Sequence, residues 1–118
     1  MRKLIVKRKN TFTASHMKVR IFIENVDGDV ELGSVKCKEI GSLKNGETGE
    51  YEIPNKHDNI YLVYNKILPN DYYAVHKIPA GKKTIELFTS PTYSPRMGNS
   101  FEIYTKEDLN KLGLADGW

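Results

Sequence analysis

Short stretches in which apolar and polar residues alternate are the strongest constraint on the fold of this chain. Every second residue from Met17 to Ile23 is apolar. The residues between them are Lys18, Arg20 and Phe22. Because side chains alternate between the two faces of a β-strand, such a segment buries one face against a core. Similar segments recur along the chain between turn residues, and helical periodicity is almost absent before the C-terminus.

This pattern predicts an all-β protein, an antiparallel β-sandwich of about seven short strands with one short C-terminal helix. A partly open barrel is the alternative architecture. The helix is expected at about 105–112, because Thr105 suits the N-cap and Gly113 the C-cap. Residues 113–118 are expected to form a tail that Trp118 docks or that stays loose. The length of 118 residues fits one domain spanning 1–118.

Turn residues suggest where the strands reverse. Ile53-Pro54 and Ile78-Pro79 are each followed by five residues and then Ile-x-Leu. Proline cannot donate to a ladder, so each pair is expected where a strand ends, and we predict a hairpin at both places. Asn45-Gly46 is the strongest hairpin signal of the chain. Residues 90–99, with two prolines, are predicted to form the longest loop.

Basic residues are concentrated at the N-terminus. The formal net charge is +3, and residues 1–20 contain seven Lys or Arg and no Asp or Glu. Such a cluster can attract nucleic acid or an anionic membrane. Because these charges alternate with apolar residues, pairing with acidic groups on neighbouring strands is the preferred interpretation. No apolar run reaches the roughly 20 residues of a membrane span, and the absence of a signal peptide favours a cytoplasmic protein.

The residue spacing offers little support for catalysis or metal binding. His16, His57 and His76 have no neighbour at metal-ligand spacing. Cys37 occupies an apolar-looking strand position, which favours a packed thiol over a nucleophile. No nucleotide-binding or nucleophile-elbow motif is present. We therefore expect no enzyme activity, no catalytic residue, no cofactor and no metal site.

Three segments carry a resemblance to a known family. They are VKCKEIGSLKNGE at 35–47, YEIP at 51–54 and IPAGKKTIEL at 78–87. Together they resemble the small bacterial β-sandwich domains of the PEGA type found in Gram-positive bacteria, over about residues 35–88. The chain has Lys-Glu-Ile ahead of Gly41, where the family usually has Asp-Gly. The shared motifs are turn chemistry, so the resemblance implies an accessory or interaction module and no catalytic residues.

The leading functional hypothesis is a non-catalytic binding or interaction module. Its partner is expected to be a protein, or a second copy of the chain joined through a sheet edge. A carbohydrate-binding β-sandwich is the second hypothesis, because the predicted strands are rich in tyrosine. Binding of nucleic acid or an anionic membrane through residues 1–20 ranks third.

Six residues make up the expected interaction surface. They are Lys18, Arg20, Phe22, Tyr61, Tyr93 and Arg96. Phe22 is expected to be an exposed apolar side chain, because it lies between the buried positions of its strand.

Overall fold

A computed structural model describes residues 1–12, 15–64, 73–94, 98–116 and 118. These residues form nine strands and one helix, two strands more than the seven or so expected. The strands are β1 (Arg2–Arg8), β2 (Val19–Glu24), β3 (Val30–Leu32), β4 (Val35–Leu43), β5 (Thr48–Ile53), β6 (Asp58–Tyr64), β7 (Tyr73–Ile78), β8 (Ile85–Ser94) and β9 (Gly98–Tyr104), and the helix is α1 (Lys106–Lys111). None of the helical segments described could cross a membrane.

The strands form two sheets. Sheet A has the order β5-β1-β8-β9, and sheet B has the order β3-β4-β2-β6-β7. All neighbouring strands of sheet B are antiparallel. In sheet A, however, β1 and β8 run parallel. The expectation of a purely antiparallel protein is therefore wrong for sheet A, because the long connection through β2–β7 lets the chain return in the same direction.

Both sheets contribute side chains to one apolar core. The buried members are Leu4, Val6, Ile53, Leu87 and Phe101 from sheet A, and Val19, Ile21, Ile23, Leu43, Ile60, Leu62 and Ile78 from sheet B. On β2 the members of this core, Val19, Ile21 and Ile23, fall at every second position, as the alternation predicts. Burying each of these large apolar side chains contributes about 1.5–3 kcal/mol, so this core holds the two sheets together.

A second apolar cluster lies on the opposite face of sheet B. Phe22 points away from the inter-sheet core, as its position predicts, but it is fully buried, so its expected exposure is wrong. The other buried members of this cluster are Leu32, Cys37, Tyr61 and Val63. The guanidinium of Arg20 also lies over the Phe22 ring, 5.1 Å from its centroid. Apolar neighbours on the adjoining strands therefore remove Phe22 from solvent.

The three connections predicted as hairpins join strands of different sheets. The Asn45-Gly46 turn leads from β4 in sheet B to β5 in sheet A. Each Ile-Pro pair does end a strand, as predicted, but the chain then crosses to the other sheet, from β5 to β6 and from β7 to β8. The hairpin predictions are wrong, because turn residues reverse a chain without deciding which strands pair.

Consecutive strands do pair antiparallel at other places, among them β3 with β4 and β8 with β9. Leu32 pairs with Val35 across Gly33-Ser34, and Gly33 has a φ of 65°, which glycine adopts readily. Strands β8 and β9 pair as far as Ser94 and Gly98. Most of the predicted loop 90–99 is therefore strand.

Two arginines of β1 face the interior between the sheets. Arg8 is buried, and its Nη1 donates to the backbone carbonyls of Met17 and Leu43. Arg2 is also buried, and its Nη2 donates to the carbonyl of Lys56 at 3.0 Å. These two members of the basic N-terminal cluster thus bind backbone oxygens within the fold.

Helix α1 is confirmed and Thr105 is its N-cap, as the sequence predicts, whereas the C-cap is Leu112 and the expected Gly113 follows it. The Thr105 hydroxyl accepts a hydrogen bond from the Asp108 backbone N–H, and the Asp108 carboxylate accepts one from the Thr105 N–H. After the helix, Gly113 has a φ of 69°, and the N–H of Leu114 donates to the carbonyl of Leu109 at 2.8 Å. Leu109 is buried and fixes the helix on the protein.

The ring of Tyr51 explains two glycines inside strands. A Cβ atom at Gly41 of β4 or at Gly49 of β5 would collide with this ring. Tyr51 packs against the inter-sheet core, so it fills the space between an edge strand of sheet A and a strand of sheet B. The absence of a side chain at Gly41 therefore leaves room for the Tyr51 ring.

We expect Gly41→Ala to lower the free energy of unfolding by about 1–3 kcal/mol, because the added methyl overpacks the Tyr51 ring. Urea denaturation measures the loss. In a Tyr51→Leu background the same substitution should cost clearly less, since the ring is gone. An equal cost in both backgrounds would mean that the strain at Gly41 does not come from Tyr51.

Asp58 is a buried carboxyl at the start of β6, and burial raises its pKa. The folded state therefore holds this proton at a higher pH than the unfolded chain. Stability from this group is greatest at acid pH and is lost as the pH rises through the raised folded pKa. We expect Asp58→Asn to be more stable than the wild type at pH 7, with the difference fading below the ordinary pKa of 3.8.

Urea denaturation of both proteins between pH 3 and pH 8 is the measurement, and the difference between them removes the contributions of other groups. A variant that is less stable at pH 7 would show that the backbone N–H of Asn59 and the charges of Lys56 and Arg2, which all oppose the shift, outweigh burial.

Candidate functional site

The residues of the expected interaction surface do not form one exposed surface. Lys18 is exposed and Arg20 partly so, and both line a shallow cleft of about 390 Å³ with His16, Glu39 and Ser42. Phe22 and Tyr61 are buried. Tyr93 pairs with Asn99 in the β8–β9 ladder, its side chain is not among those described, and Arg96 lies outside the described residues.

The charge of Arg20 is largely compensated within this shallow cleft. Its Nε lies 2.6 Å from Oε2 of Glu39, and its Nη2 donates to Oε1 at 3.3 Å. This two-point hydrogen bond raises the pKa of Arg20. Lys18 and His16 are then the other basic residues lining the cleft, and an anion would have to compete with Glu39 for Arg20.

The hydroxyl of Tyr61 is hydrogen-bonded and its ring is packed within the protein. Its hydroxyl donates to Oε1 of Glu24 at 2.8 Å, and Asn59 Nδ2 donates to the same oxygen at 3.0 Å. These two bonds lower the pKa of Glu24, whereas burial and the Glu24 charge raise the pKa of Tyr61. The Tyr61 ring packs edge-on against Tyr73, with centroids 5.6 Å apart. Tyr61 therefore offers no free face for stacking with a ligand.

Cys37 belongs to the cluster around Phe22 and is buried, which confirms the packed thiol. Burial raises its pKa to about 11, so the thiol stays protonated at neutral pH and is a poor nucleophile. Within the described ranges, no group of three His, Cys, Asp or Glu residues is placed to hold a metal ion.

A larger cleft, which the sequence analysis did not anticipate, lies on the face of sheet A away from the core. We call it the C-terminal cleft; its volume is about 430 Å³, within the usual range of ligand sites. Its floor consists of Ile5 and Lys7 of β1, Thr48 of β5, and Glu86, Leu87 and Phe88 of β8. The parallel register sets Ile5 beside Glu86 and Lys7 beside Phe88, so the strand pairing itself assembles this floor.

The wall of the C-terminal cleft consists of α1 and the segment after it. Its members are Lys106, Leu109, Asn110, Ala115 and Trp118. Trp118 packs edge-on against Phe88 and Tyr104, at centroid distances of 5.7 and 6.2 Å. The amine of Lys9 lies over the Trp118 ring, 5.4 Å from its centroid. Of the two alternatives for the tail, docking by Trp118 is therefore the one that the structure shows.

The cleft combines an apolar base with separated polar groups. Ile5, Phe88 and Leu109 supply apolar surface, and the amines of Lys7 and Lys106 stand near them. In the described part of the chain, neither amine forms an ion pair, whereas Lys3 on the same face lies 3.5 Å from Glu50. Such a mixture can hold an apolar side chain and fix its orientation through charged neighbours.

Trp118 is the one tryptophan of the chain, so its fluorescence reports on this cleft alone. Thr105→Ala removes the cap of α1 and should destabilise the helix by about 0.5–2 kcal/mol. In this variant we expect the emission of Trp118 to shift to longer wavelength and its quenching by acrylamide to increase, because Trp118 follows α1 closely in the chain. The exposed Thr84 gives the control Thr84→Ala, which should leave both signals unchanged. An unaltered spectrum in Thr105→Ala would show that Trp118 docks independently of α1.

No protein-family model matches the chain. A search of curated proteins likewise finds no match. The function therefore has to be argued from the fold and from the C-terminal cleft.

Proposed function

We propose that this protein is a non-catalytic interaction module and that a segment of a partner protein binds in the C-terminal cleft. One observation carries the proposal: a cleft of about 430 Å³ joins apolar side chains to two lysines that have no carboxylate partner in the described residues. Lysines that line a concave site and have no acidic partner there can pair with a ligand.

A protein segment suits the surroundings of the cleft better than a sugar does. Leu112 and Leu114 follow α1 close to the wall and are 59% and 41% exposed. Aliphatic side chains of this kind contact the apolar side chains of a partner, and exposed apolar groups beside a cleft are typical of protein interfaces. A sugar would need the flat face of an aromatic ring, whereas Phe88 and Trp118 pack against each other edge to face.

The architecture supports the same role. Two sheets share one core, and we propose that they form a β-sandwich related to the bacterial PEGA-type domains. In such a domain a rigid pair of sheets presents a binding surface, and catalysis is not required of it. The groups that line the cleft, two amines, a carboxylate, an amide and a hydroxyl, can all serve recognition without a reaction.

Selection from a display library of random heptapeptides tests the proposal with the whole chain as bait. We expect a family of enriched peptides that change the fluorescence of Trp118 on binding. Ala115→Trp fills the cleft and should abolish binding of these peptides, as measured by isothermal titration calorimetry, because an added tryptophan obscures the signal of Trp118. Val26→Trp adds the same side chain at a position that is 86% exposed, between β2 and β3, and should bind them as the wild type does.

Peptides that bind Ala115→Trp and wild type equally would place the interaction elsewhere and overturn the proposed site. If no peptide is enriched and an oligosaccharide panel changes the fluorescence of Trp118, the carbohydrate hypothesis replaces ours. Concentration-dependent dimerisation in size exclusion that Ala115→Trp leaves intact would instead favour self-association through a sheet edge.

A further inference from the structure

We infer that the partner segment bound in the C-terminal cleft is acidic and carries an apolar side chain between its carboxylates. The inference rests on the proposed function and adds the chemistry of the partner. In this arrangement the partly exposed Ile5 and Phe88 contact the apolar side chain, and the amines of Lys7 and Lys106 pair with the carboxylates on either side.

Charge on the outer face of sheet A supports this assignment. On that face Lys3 is neutralised by Glu50, and on α1 Lys111 pairs with Glu107 at 3.2 Å. Lys7 and Lys106 line the cleft and are absent from the ion pairs of the described residues. Lys3 of β1 and Lys111 of α1 thus have acidic partners within the chain, whereas the described residues offer none to Lys7 and Lys106, so these two amines can pair with a carboxylate from outside.

The remaining charged groups leave the cleft positive. Among the described residues that line it, Glu86 is the one acidic residue, against Lys7 and Lys106. Lys9 adds a third amine behind the wall, where it lies over Trp118. A positive cleft raises the local concentration of negative ligands and speeds their association. Glu86 would repel a carboxylate placed beside Ile5, so it favours an apolar residue at that point of the segment.

The apolar base separates an acidic peptide from other polyanions. Nucleic acid requires lysines along a phosphate backbone and rings with free faces for stacking. Here Trp118 packs edge-on against Phe88 and Tyr104, and Leu109 lines the cleft together with Phe88 and Trp118. This combination suits a side chain such as leucine flanked by carboxylates.

Three capped pentapeptides test the inference by titration of Trp118 fluorescence in 50 mM NaCl. Their sequences are Gly-Glu-Leu-Glu-Gly, Gly-Gln-Leu-Gln-Gly and Gly-Lys-Leu-Lys-Gly. We expect the acidic peptide to bind at least several-fold more tightly than the neutral one, and the basic peptide to bind most weakly. Raising the salt to 500 mM should remove most of this preference, because the charges are near the surface.

The double variant Lys7→Gln/Lys106→Gln should bind the acidic peptide roughly 2- to 30-fold more weakly, the range for the loss of two exposed ion pairs. Its affinity for the neutral peptide should not change. The matched control Lys3→Gln/Lys111→Gln removes the same net charge from lysines that already have partners, and should bind both peptides as the wild type does.

The two hypotheses fail in different ways. If the neutral or basic peptide binds at least as tightly as the acidic one, and Ala115→Trp abolishes that binding, the cleft is a site but its ligand is not acidic. If both double variants bind the acidic peptide more weakly by the same factor, the attraction is due to overall charge and the assignment to Lys7 and Lys106 is wrong. If none of the three peptides binds, and the library peptides bind Ala115→Trp as tightly as the wild type, the proposed site is wrong as well.

Discussion

The parallel pairing of β1 with β8 is the contact on which both the core and the C-terminal cleft depend. It places the N-terminal strand in the middle of sheet A, with β5 on its other side. One face of β1 then supplies Leu4 and Val6 to the inter-sheet core. The other face supplies Ile5 and Lys7 to the floor of the cleft. Because the period of a strand is two residues, a register shift by one would exchange these roles and expose the core residues.

The sequence predicts the local structure well and the pairing of strands poorly. Alternation identifies the buried face of β2, and the residues around Thr105 and Gly113 predict α1 with its N-cap, because these signals depend on neighbours a few residues apart. Whether Ile53-Pro54 leads to a hairpin or to the other sheet depends on contacts with distant strands. The Gly33-Ser34 pair was a usable hairpin signal between Leu32 and Val35, and it marks the short strand β3 that the analysis missed.

The candidate site, too, could be predicted only in its local features and not in the way distant strands bring residues together. Sequence reasoning selected Phe22 and Tyr61 as surface aromatics, but β2 and β6 lie side by side and bring these rings into one buried cluster. The C-terminal cleft could not be foreseen, since it needs residues from β1, β5, β8 and α1 in one place. One local signal existed: Ile5 and Phe88 are apolar residues at the outward positions of strands whose neighbours, Leu4 and Leu87, form the core. Large apolar residues on both faces of a strand indicate that the outer face is covered as well.

The basic cluster at the N-terminus acquires a physical explanation from the position of each residue along β1. Arg2 and Arg8 share the inward face with Leu4, and the planar guanidinium lets each bind backbone carbonyls where a buried charge would otherwise be costly. Lys3 faces outward beside β5 and is paired with Glu50. Lys7 also faces outward, but its neighbours in register are Thr48 and Phe88, which carry no charge. The same alternation that builds the core therefore leaves Lys7 in the cleft without an ion pair among the residues that the structure describes, and an acidic partner would supply the missing carboxylate.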